Sequence, residues 1–241
     1  MWQRLGMARQ QRFAFKTWGG KRKNAGRPPN GKRAGEPHKQ RARLPHGQPV
    51  HVTIRAVRDL GSLRKNDTYA AIRAATLTAA RQHADFHIVH ISIQATHVHL
   101  IVEAADKVAL ARGMQGFEIS AARHLNKAIS RRVGMRRTGP VFPDRYHPRI
   151  LNSPRSVRHA IAYVLNNWRH HGEHVHAFAR RWRIDPFSSA LGFDGWKSLA
   201  PIAPPPTYKA MWTWLPRTWL LSTGWRRHGL VRVDEVPGPV A

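Results

Sequence analysis

The chain of 241 residues has no cysteine, and acidic residues are scarce, with 13 Asp and Glu against 41 Lys and Arg. Without cysteine there is no disulfide framework, thiolate zinc site, iron–sulfur cluster or cysteine nucleophile. No apolar run approaches the ~20 residues that span a bilayer. The basic N-terminus also lacks the apolar stretch of a signal peptide. We therefore expect a cytoplasmic protein with no membrane partner.

The charge balance is the dominant feature of the composition. A formal net charge of +28 opposes compaction by self-repulsion unless a polyanion neutralises it. Nucleic acid is the commonest polyanion that a soluble protein meets. The charge therefore favours a nucleic-acid partner and a location at the nucleoid.

Residues 1–48 carry much of this charge, with 13 Lys and Arg and a single Glu. They hold too little apolar surface to offset the entropy of ordering, which predicts a disordered basic arm. Within it, Gly26-Arg27-Pro28 resembles the core of an AT-hook and makes Arg27 a candidate DNA contact, the alternative being a solvated tail. We predict a domain over 49–172 and an irregular extension, rich in Trp and Arg, over 173–241.

Hydrophobic periodicity predicts seven elements between residues 50 and 172. In order they are strand 50–57, helix 68–84, strands 86–94 and 97–104, helix 109–134, an extended segment 141–151 and helix 153–172. Asn66 or Asp67 is the expected cap of the first helix, Gly134 ends the second, and Asn152 or Ser153 caps the third. The first six elements match an α+β ferredoxin-like fold, an antiparallel sheet with helices on one face. A further short helix is predicted over 216–229.

One strand carries two histidines in alternate positions. His97 and His99 in the sequence Thr96-His97-Val98-His99 project from the same face, because side chains alternate along a strand. Two imidazoles side by side form half of a site for a divalent cation. Because the chain has 16 histidines, the pair also fits two ordinary exposed or core histidines.

The helix over 153–172 carries the second motif. Its apolar stripe leaves out Tyr163 and Asn167, which lie one turn apart at i and i+4. His159 and His170 lie on the same side, so this helix face is expected to be polar and partly cationic. The alternative is a surface tyrosine on a basic helix.

A basic segment precedes that helix and is a candidate DNA-backbone contact. It contains Arg145, Tyr146, His147 and Arg149, and its alternative interpretation is a solvated basic strand. Tyr146 is the rival of Tyr163 as a nucleophile. We favour Tyr163, because only Tyr163 has a ligand-type residue one turn away.

Taken together, these motifs carry a family resemblance. The His97-Val98-His99 strand, the long helix, the segment FPDRYHPRIL and the helix with AYVLNN resemble the single-tyrosine HUH transposase superfamily. The resemblance covers roughly 49–172 and is strongest to the REP-associated tyrosine transposases. One departure concerns Asn167-Trp168, where many relatives carry Asn-Pro, and the adjacent Asn166 is a competing amide.

The resemblance implies a transposase-like endonuclease and strand transferase that acts on single-stranded DNA at hairpins or repeats. Tyr163 would be the nucleophile and form a 5′-phosphotyrosine. His97, His99 and Asn167 would hold one Mg²⁺ or Mn²⁺. The protein would act as a monomer or homodimer. The candidate DNA contacts are Arg27, Arg145, His147, Arg149, Arg158 and His170.

A tyrosine nucleophile needs a proton acceptor or a cationic neighbourhood, since its free pKa is about 10. Arg158, His159 and His170 are the candidates on this helix, beside the metal. The alternative function is a non-catalytic DNA-binding protein on the same scaffold. The two hypotheses differ in whether the protein tolerates Tyr163→Phe.

Overall fold

A computed structural model describes residues 42–176, 182–198 and 202–236. Most of the predicted basic arm, including Arg27, lies outside the described residues. No helix in these three ranges is long and apolar enough to cross a membrane.

Four strands form one antiparallel sheet. They are β1 (Val50–Arg55), β2 (Phe86–Ile93), β3 (His97–Ala104) and β4 (His147–Ile150). Their order is β2-β3-β1-β4, and every neighbouring pair is antiparallel. With α1 (Asn66–Gln82) after β1 and α2 (Lys107–Val133) after β3, this is the ferredoxin-like βαββαβ arrangement. The predicted fold class is confirmed.

The two faces of the sheet pack against different helices. Val52 and Leu100 share a core with α1 and α2, because every second residue of β1 and β3 points to that side. The alternate residues of β1 and β3 point to the opposite face of the sheet, where Ile101 packs with α3 (Pro154–His170). The helices of the βαββαβ unit thus cover one face as expected. The third helix covers the other, and the histidines of β3 lie under it.

Two local predictions are corrected. The N-cap of α1 is Lys65, not Asn66 or Asp67, because Lys65 still has an extended backbone and its amide donates a hydrogen bond to the Thr68 hydroxyl. Only His147–Ile150 of the segment predicted as extended pairs with β1. In contrast, Gly134 ends α2 with φ 72°, as predicted.

The C-terminal extension packs on the outer side of α3. It contains β5 (Trp196–Lys197), α4 (Trp219–Ser222) and β6 (Val231–Arg232). The single helix predicted over 216–229 is instead α4 followed by a 3-10 turn over Gly224–His228. Trp225 and Val231 are buried with α3, so this helix is sandwiched between the sheet and the extension.

Candidate active site

The predicted histidine pair lies at the start of β3 on the face that α3 covers. The ring centroids of His97 and His99 are 4.6 Å apart, and the rings are nearly perpendicular. His99 is 3 % exposed. A rigid central strand therefore holds two imidazoles side by side in a largely dry environment.

The two nitrogens of His99 have different surroundings. Its Nδ1 is 3.1 Å from Thr53 Oγ1 and 3.3 Å from His51 Nε2. Its Nε2 is buried with no hydrogen-bond partner among the described residues. When Nδ1 carries the proton it donates to Thr53 or His51, and Nε2 keeps its lone pair. The contacts from β1 are thus compatible with the tautomer that a metal ligand needs.

The environment keeps these histidines neutral. The pKa of His51 is lowered to about 4, first by burial and then by the charges of Arg149 and His147. Burial, with smaller contributions from His171 and Arg55, lowers the pKa of His97 to about 4. Burial also places the pKa of His99 well below its ordinary value. Neutral imidazoles can donate lone pairs at pH 7 without first losing a proton.

Tyr163 of α3 faces this cluster. Its ring centroid is 5.1 Å from that of His99 and 5.7 Å from that of His51, both in edge-on geometry. The side chain is half-buried, and burial raises the pKa of its phenol. The phenol is therefore protonated at neutral pH and has to lose its proton before it can attack.

Asn167 lies one turn after Tyr163 and is completely buried. Neither its Oδ1 nor its Nδ2 has a hydrogen-bond partner among the described residues. The sequence placed Asn167 on a polar helix face. The structure corrects this, because no part of the Asn167 side chain is exposed to solvent. A buried amide without partners is rare and unfavourable in proteins, so the amide oxygen of Asn167 is a candidate ligand atom.

The neighbouring amide, Asn166, is used differently. It is also fully buried, but its Nδ2 donates to the Arg232 carbonyl of β6 at 2.9 Å. Asn166 thus fastens the extension to α3 and faces away from the sheet. Of the two amides that the sequence left in competition, Asn167 shares the helix face of Tyr163.

His171 joins the cluster at the end of α3. Its ring centroid is 5.6 Å from that of His97. Positions 163, 167 and 171 are spaced by one helical turn each. Because Tyr163 contacts His99 and His171 contacts His97, Asn167 lies over the histidine pair. The predicted His170 is exposed, with its ring 5.3 Å from that of His171.

His97, His99 and Asn167 together have donor atoms that suit a divalent ion, whereas the described His, Asp and Glu side chains alone do not make up a ligand set. Within 42–176, 182–198 and 202–236, no group of three or more such residues is arranged to hold a metal. His97, His99 and Asn167 instead offer two neutral nitrogens and an amide oxygen. The unpartnered Nε2 of His99 and Oδ1 of Asn167 are the two atoms that such an ion would satisfy.

Two of the predicted DNA contacts flank the cluster. In the β1–β4 register, Arg149 lies opposite His51 and His147 lies opposite Thr53. Residues paired across two strands point to the same face, so both side chains lie beside the histidines. Arg145 precedes β4 and is partly buried. Its DNA contact stays a prediction.

Arg158 has a partner within the chain. Its guanidinium forms an ion pair with Glu235 and donates to the Leu230 carbonyl at 3.1 Å. The side chain is 13 % exposed. Its charge is thus already neutralised by the extension, and a DNA contact by Arg158 stays a prediction.

The rival nucleophile, Tyr146, belongs to the other face of the sheet. It is 6 % exposed and packs in the core beneath α1 and α2. Tyr163 in contrast contacts the histidines directly. The arrangement therefore agrees with the choice of Tyr163.

Sequence reasoning missed three members of the cluster. His51 and Thr53 alternate on β1 as His97 and His99 do on β3, so the alternation marks the polar face of the strand. It does not reveal that Thr53 pairs with His99, because register depends on which strands are neighbours. From the sequence we selected His170 and not His171. The helix ends between these two residues, and the hydrophobic periodicity does not fix the direction of its last side chains.

No model of a known protein family matches the sequence, and no curated protein matches it. Among solved structures, the chain is similar to a REP-associated tyrosine transposase bound to a REP hairpin, with 18% identity and a TM-score of 0.45. That match covers 63% of this chain and 81% of the other. It is also similar to a bacterial tRNA(His) guanylyltransferase-like protein in complex with GTP, with 12% identity and a TM-score of 0.39, covering 57% and 71%. Similarity at this level leaves function to be argued from this chain's own residues.

Proposed function

We propose that this protein is a metal-dependent, single-stranded DNA endonuclease and strand transferase of the transposase type, acting at hairpin or repeat DNA. One observation carries the proposal. A half-buried tyrosine contacts a neutral histidine pair, and a fully buried amide without partners lies one turn along the same helix. This combination of nucleophile and neutral ligands is suited to attack on a phosphodiester.

Tyr163 is the nucleophile in this proposal. Its phenolic oxygen forms a bond to the phosphorus as the bond from phosphorus to the 3′-oxygen breaks. The products are a 5′-phosphotyrosine and a free 3′-hydroxyl, which takes up a proton. The reverse attack by a 3′-hydroxyl on the phosphotyrosine joins DNA and restores the tyrosine.

Loss of the phenolic proton is the step that the site has to assist. Burial raises the pKa of Tyr163. His51 has its ring 5.7 Å from that of Tyr163 and is not one of the expected metal ligands, which makes it the acceptor that we favour. Its lowered pKa makes it a weak base, so positive charge beside the phenol has to favour the phenolate as well. The charge of Arg149 on the adjacent strand stabilises the anionic phosphate beside it. Arg158, with its own carboxylate partner, is a poorer candidate.

His97, His99 and Asn167 would hold Mg²⁺ or Mn²⁺. When bound, the ion supplies Lewis-acid polarisation of a non-bridging phosphate oxygen. The chain's own contribution is to fix the ligands. Thr53 and His51 set the tautomer of His99, and burial keeps the imidazoles neutral.

DNA is the substrate that the charge favours. The net charge of +28 supports binding to a polyanion, and Arg149 and His147 lie on the edge strand next to Tyr163. An unpaired strand suits a half-buried nucleophile, because a duplex restricts approach to its phosphates. Location at the nucleoid follows from the same charge and stays a prediction, as does the choice between monomer and dimer.

The test is a denaturing protein gel after incubation with labelled hairpin oligonucleotides from the DNA that flanks the gene, with Mn²⁺, Mg²⁺ or EDTA. We expect a metal-dependent covalent protein–DNA band that Tyr163→Phe abolishes. The matched control is Tyr146→Phe, which removes the hydroxyl of the rival tyrosine and should keep the band. Tight hairpin binding without any covalent species would replace this proposal with the non-catalytic alternative.

A further inference from the structure

A tryptophan on the extension is unusually exposed. Trp219, the first residue of α4, is 49 % exposed, and the nearby Leu215 is 83 % exposed. Indole rings carry a large apolar area, and most of that area is normally buried in a folded protein. An exposed tryptophan next to an exposed leucine indicates a surface that meets a partner.

Arginine guanidinium groups lie over the rings at this surface. Arg227 is 4.9 Å from the ring centroid of Trp219, and Arg217 is 5.4 Å from that of Trp214. The rings of Trp212 and Trp214 are 5.2 Å apart. We refer to these five residues as the Trp/Arg surface. It combines stacking surfaces with cations in one place.

The two cations are free to bind an external anion. None of the described carboxylates forms an ion pair with Arg217 or Arg227. Arg226, next in the chain, differs because it pairs with Asp194 at 2.8 Å. The two guanidinium groups of the Trp/Arg surface therefore lie against aromatic rings but have no carboxylate partner among the described residues.

The surface is also held rigidly. The buried carboxylate of Glu103 on β3 accepts hydrogen bonds from the amides of Arg217 and Thr218 at 2.9 and 2.8 Å, and from the Thr218 hydroxyl at 2.7 Å. The Trp214 amide donates to the Ile88 carbonyl of β2 at 2.8 Å. A surface fixed to the sheet in this way loses little conformational entropy when it binds.

Close packing fixes the Trp219 ring itself. A Cβ atom added at Gly224 would lie 2.8 Å from this ring, so only glycine allows the approach. The ring is thus placed by the chain, although about half of it is open to solvent.

We propose that the Trp/Arg surface binds unpaired bases of single-stranded DNA, with Trp219 as a stacking platform and Arg217 and Arg227 as phosphate contacts. Unpaired bases have open π faces that stack on exposed indoles, and arginine neutralises the adjacent phosphates. A duplex hides its base faces and offers only phosphates. The choice of DNA rests on the proposed function.

The position of the surface suits a strand that also reaches Tyr163. Glu103 and His99 are four residues apart on β3, which is about 13 Å at the usual rise along a strand. Both side chains point to the same face, because they are separated by an even number of residues. One strand of DNA can therefore contact the Trp/Arg surface while its phosphate lies at the nucleophile.

The test measures equilibrium binding of a labelled single-stranded oligonucleotide and of its blunt duplex between 50 and 200 mM salt, by fluorescence anisotropy. All proteins carry Tyr163→Phe, so that no covalent product forms. Trp219→Leu should weaken binding of the single strand about tenfold or more, because stacking contributes about 1–3 kcal/mol per base. The affinity of the Trp219→Leu variant for the duplex, and the salt dependence of its DNA binding, should stay unchanged.

Arg227→Gln tests the electrostatic part. It should reduce the slope of log K against log salt by about 0.7 for the single strand. The controls are Met135→Ala, which removes an exposed apolar side chain away from this surface, and Arg131→Gln, which removes an exposed cation on α2. Met135→Ala should leave single-strand affinity unchanged.

Three results would overturn the proposal: equal loss on single strand and duplex with Trp219→Leu, no loss on either, or a change of oligomeric state that identifies a second copy as the occupant. The covalent band of the otherwise wild-type protein is measured separately. If that band is absent while the Trp219→Leu effect on single strands holds, cleavage fails and the binding surface stands.

Discussion

Replacement of Asn167 by leucine should stabilise the protein and abolish its reaction. Leucine has the same number of heavy atoms and the same branching as asparagine, so the change removes polarity and keeps the shape. Asn167 is completely buried, and both of its amide atoms lack partners among the described residues. Each buried unpaired polar atom costs about 1–3 kcal/mol. We therefore expect Asn167→Leu to raise the free energy of unfolding by about 1–3 kcal/mol.

The matched control is Asn166→Leu, the same substitution at the adjacent buried amide. Asn166 donates from Nδ2 to the Arg232 carbonyl. Its replacement removes the buried Oδ1, which has no partner among the described residues, but breaks that hydrogen bond and leaves the Arg232 carbonyl unpaired. The two effects oppose each other, so we expect no gain and a loss of at most about 1 kcal/mol. A gain at Asn167 without a gain at Asn166 distinguishes an amide kept for a ligand from one kept for structure.

The assay is urea unfolding with and without Mn²⁺, followed by the covalent gel assay. A bound ion stabilises the native state, by about 2.7 kcal/mol at a hundredfold excess over Kd. Wild type and Asn166→Leu should show this increment, whereas Asn167→Leu should show neither the increment nor the covalent band. If Asn167→Leu destabilises the apoprotein as Asn166→Leu does, then Asn167 is structural and our assignment is refuted.

Two further predictions concern buried charge. Burial lowers the pKa of His90 to about 4; because the unfolded chain takes up its proton near pH 6.5, the stability that this residue contributes is complete above pH 6.5 and is lost as the pH falls toward 4. Between pH 7.5 and 5 the contribution of His90 to this loss is about 2 kcal/mol. His51, His97 and His99 also have lowered pKa values. Urea titrations should therefore show a loss in every variant, smaller by about 2 kcal/mol in His90→Leu than in wild type or in the control His228→Leu. Arg64 and Asp185 form a buried ion pair at 2.8 Å that joins the start of α1 to the extension. Asp185→Ala should cost about 3 kcal/mol, because it leaves the buried guanidinium with Glu173 alone, 3.5 Å from its Nε. A thermal melt within 1 °C of wild type for Asp185→Ala would contradict this.

Local sequence patterns were sufficient for most of the fold. The alternation of β1 and β3 and the 3.6-residue periods of α1 to α3 predicted these elements to within a few residues, since both patterns depend only on neighbours in the chain. The weak points were the segment 141–151 and the helix over 216–229. In both, contacts with distant residues decide the conformation. The short β4, for example, exists because it pairs with β1.

The candidate site, too, was predictable from the sequence only in part. That His97 and His99 share a face, and that Tyr163 and Asn167 share another, follows from the geometry of one strand and one helix. The partners of these residues do not follow. Thr53 meets His99 through the register of two strands separated by a helix and a further strand.

The sequence by itself determined the fold class and the groups available for chemistry. These are a strongly basic α+β chain without cysteine, a histidine pair on a strand, and a tyrosine one turn from an amide on a helix. These properties depend on composition and on periods of two and 3.6 residues, which are local. Tertiary structure alone decided that the helix lies over the histidines and that Asn167 is completely buried. It also gave Arg158 a carboxylate partner, Glu235, 77 residues further along the chain. Burial and pairing at such separations arise from packing, which no local pattern encodes.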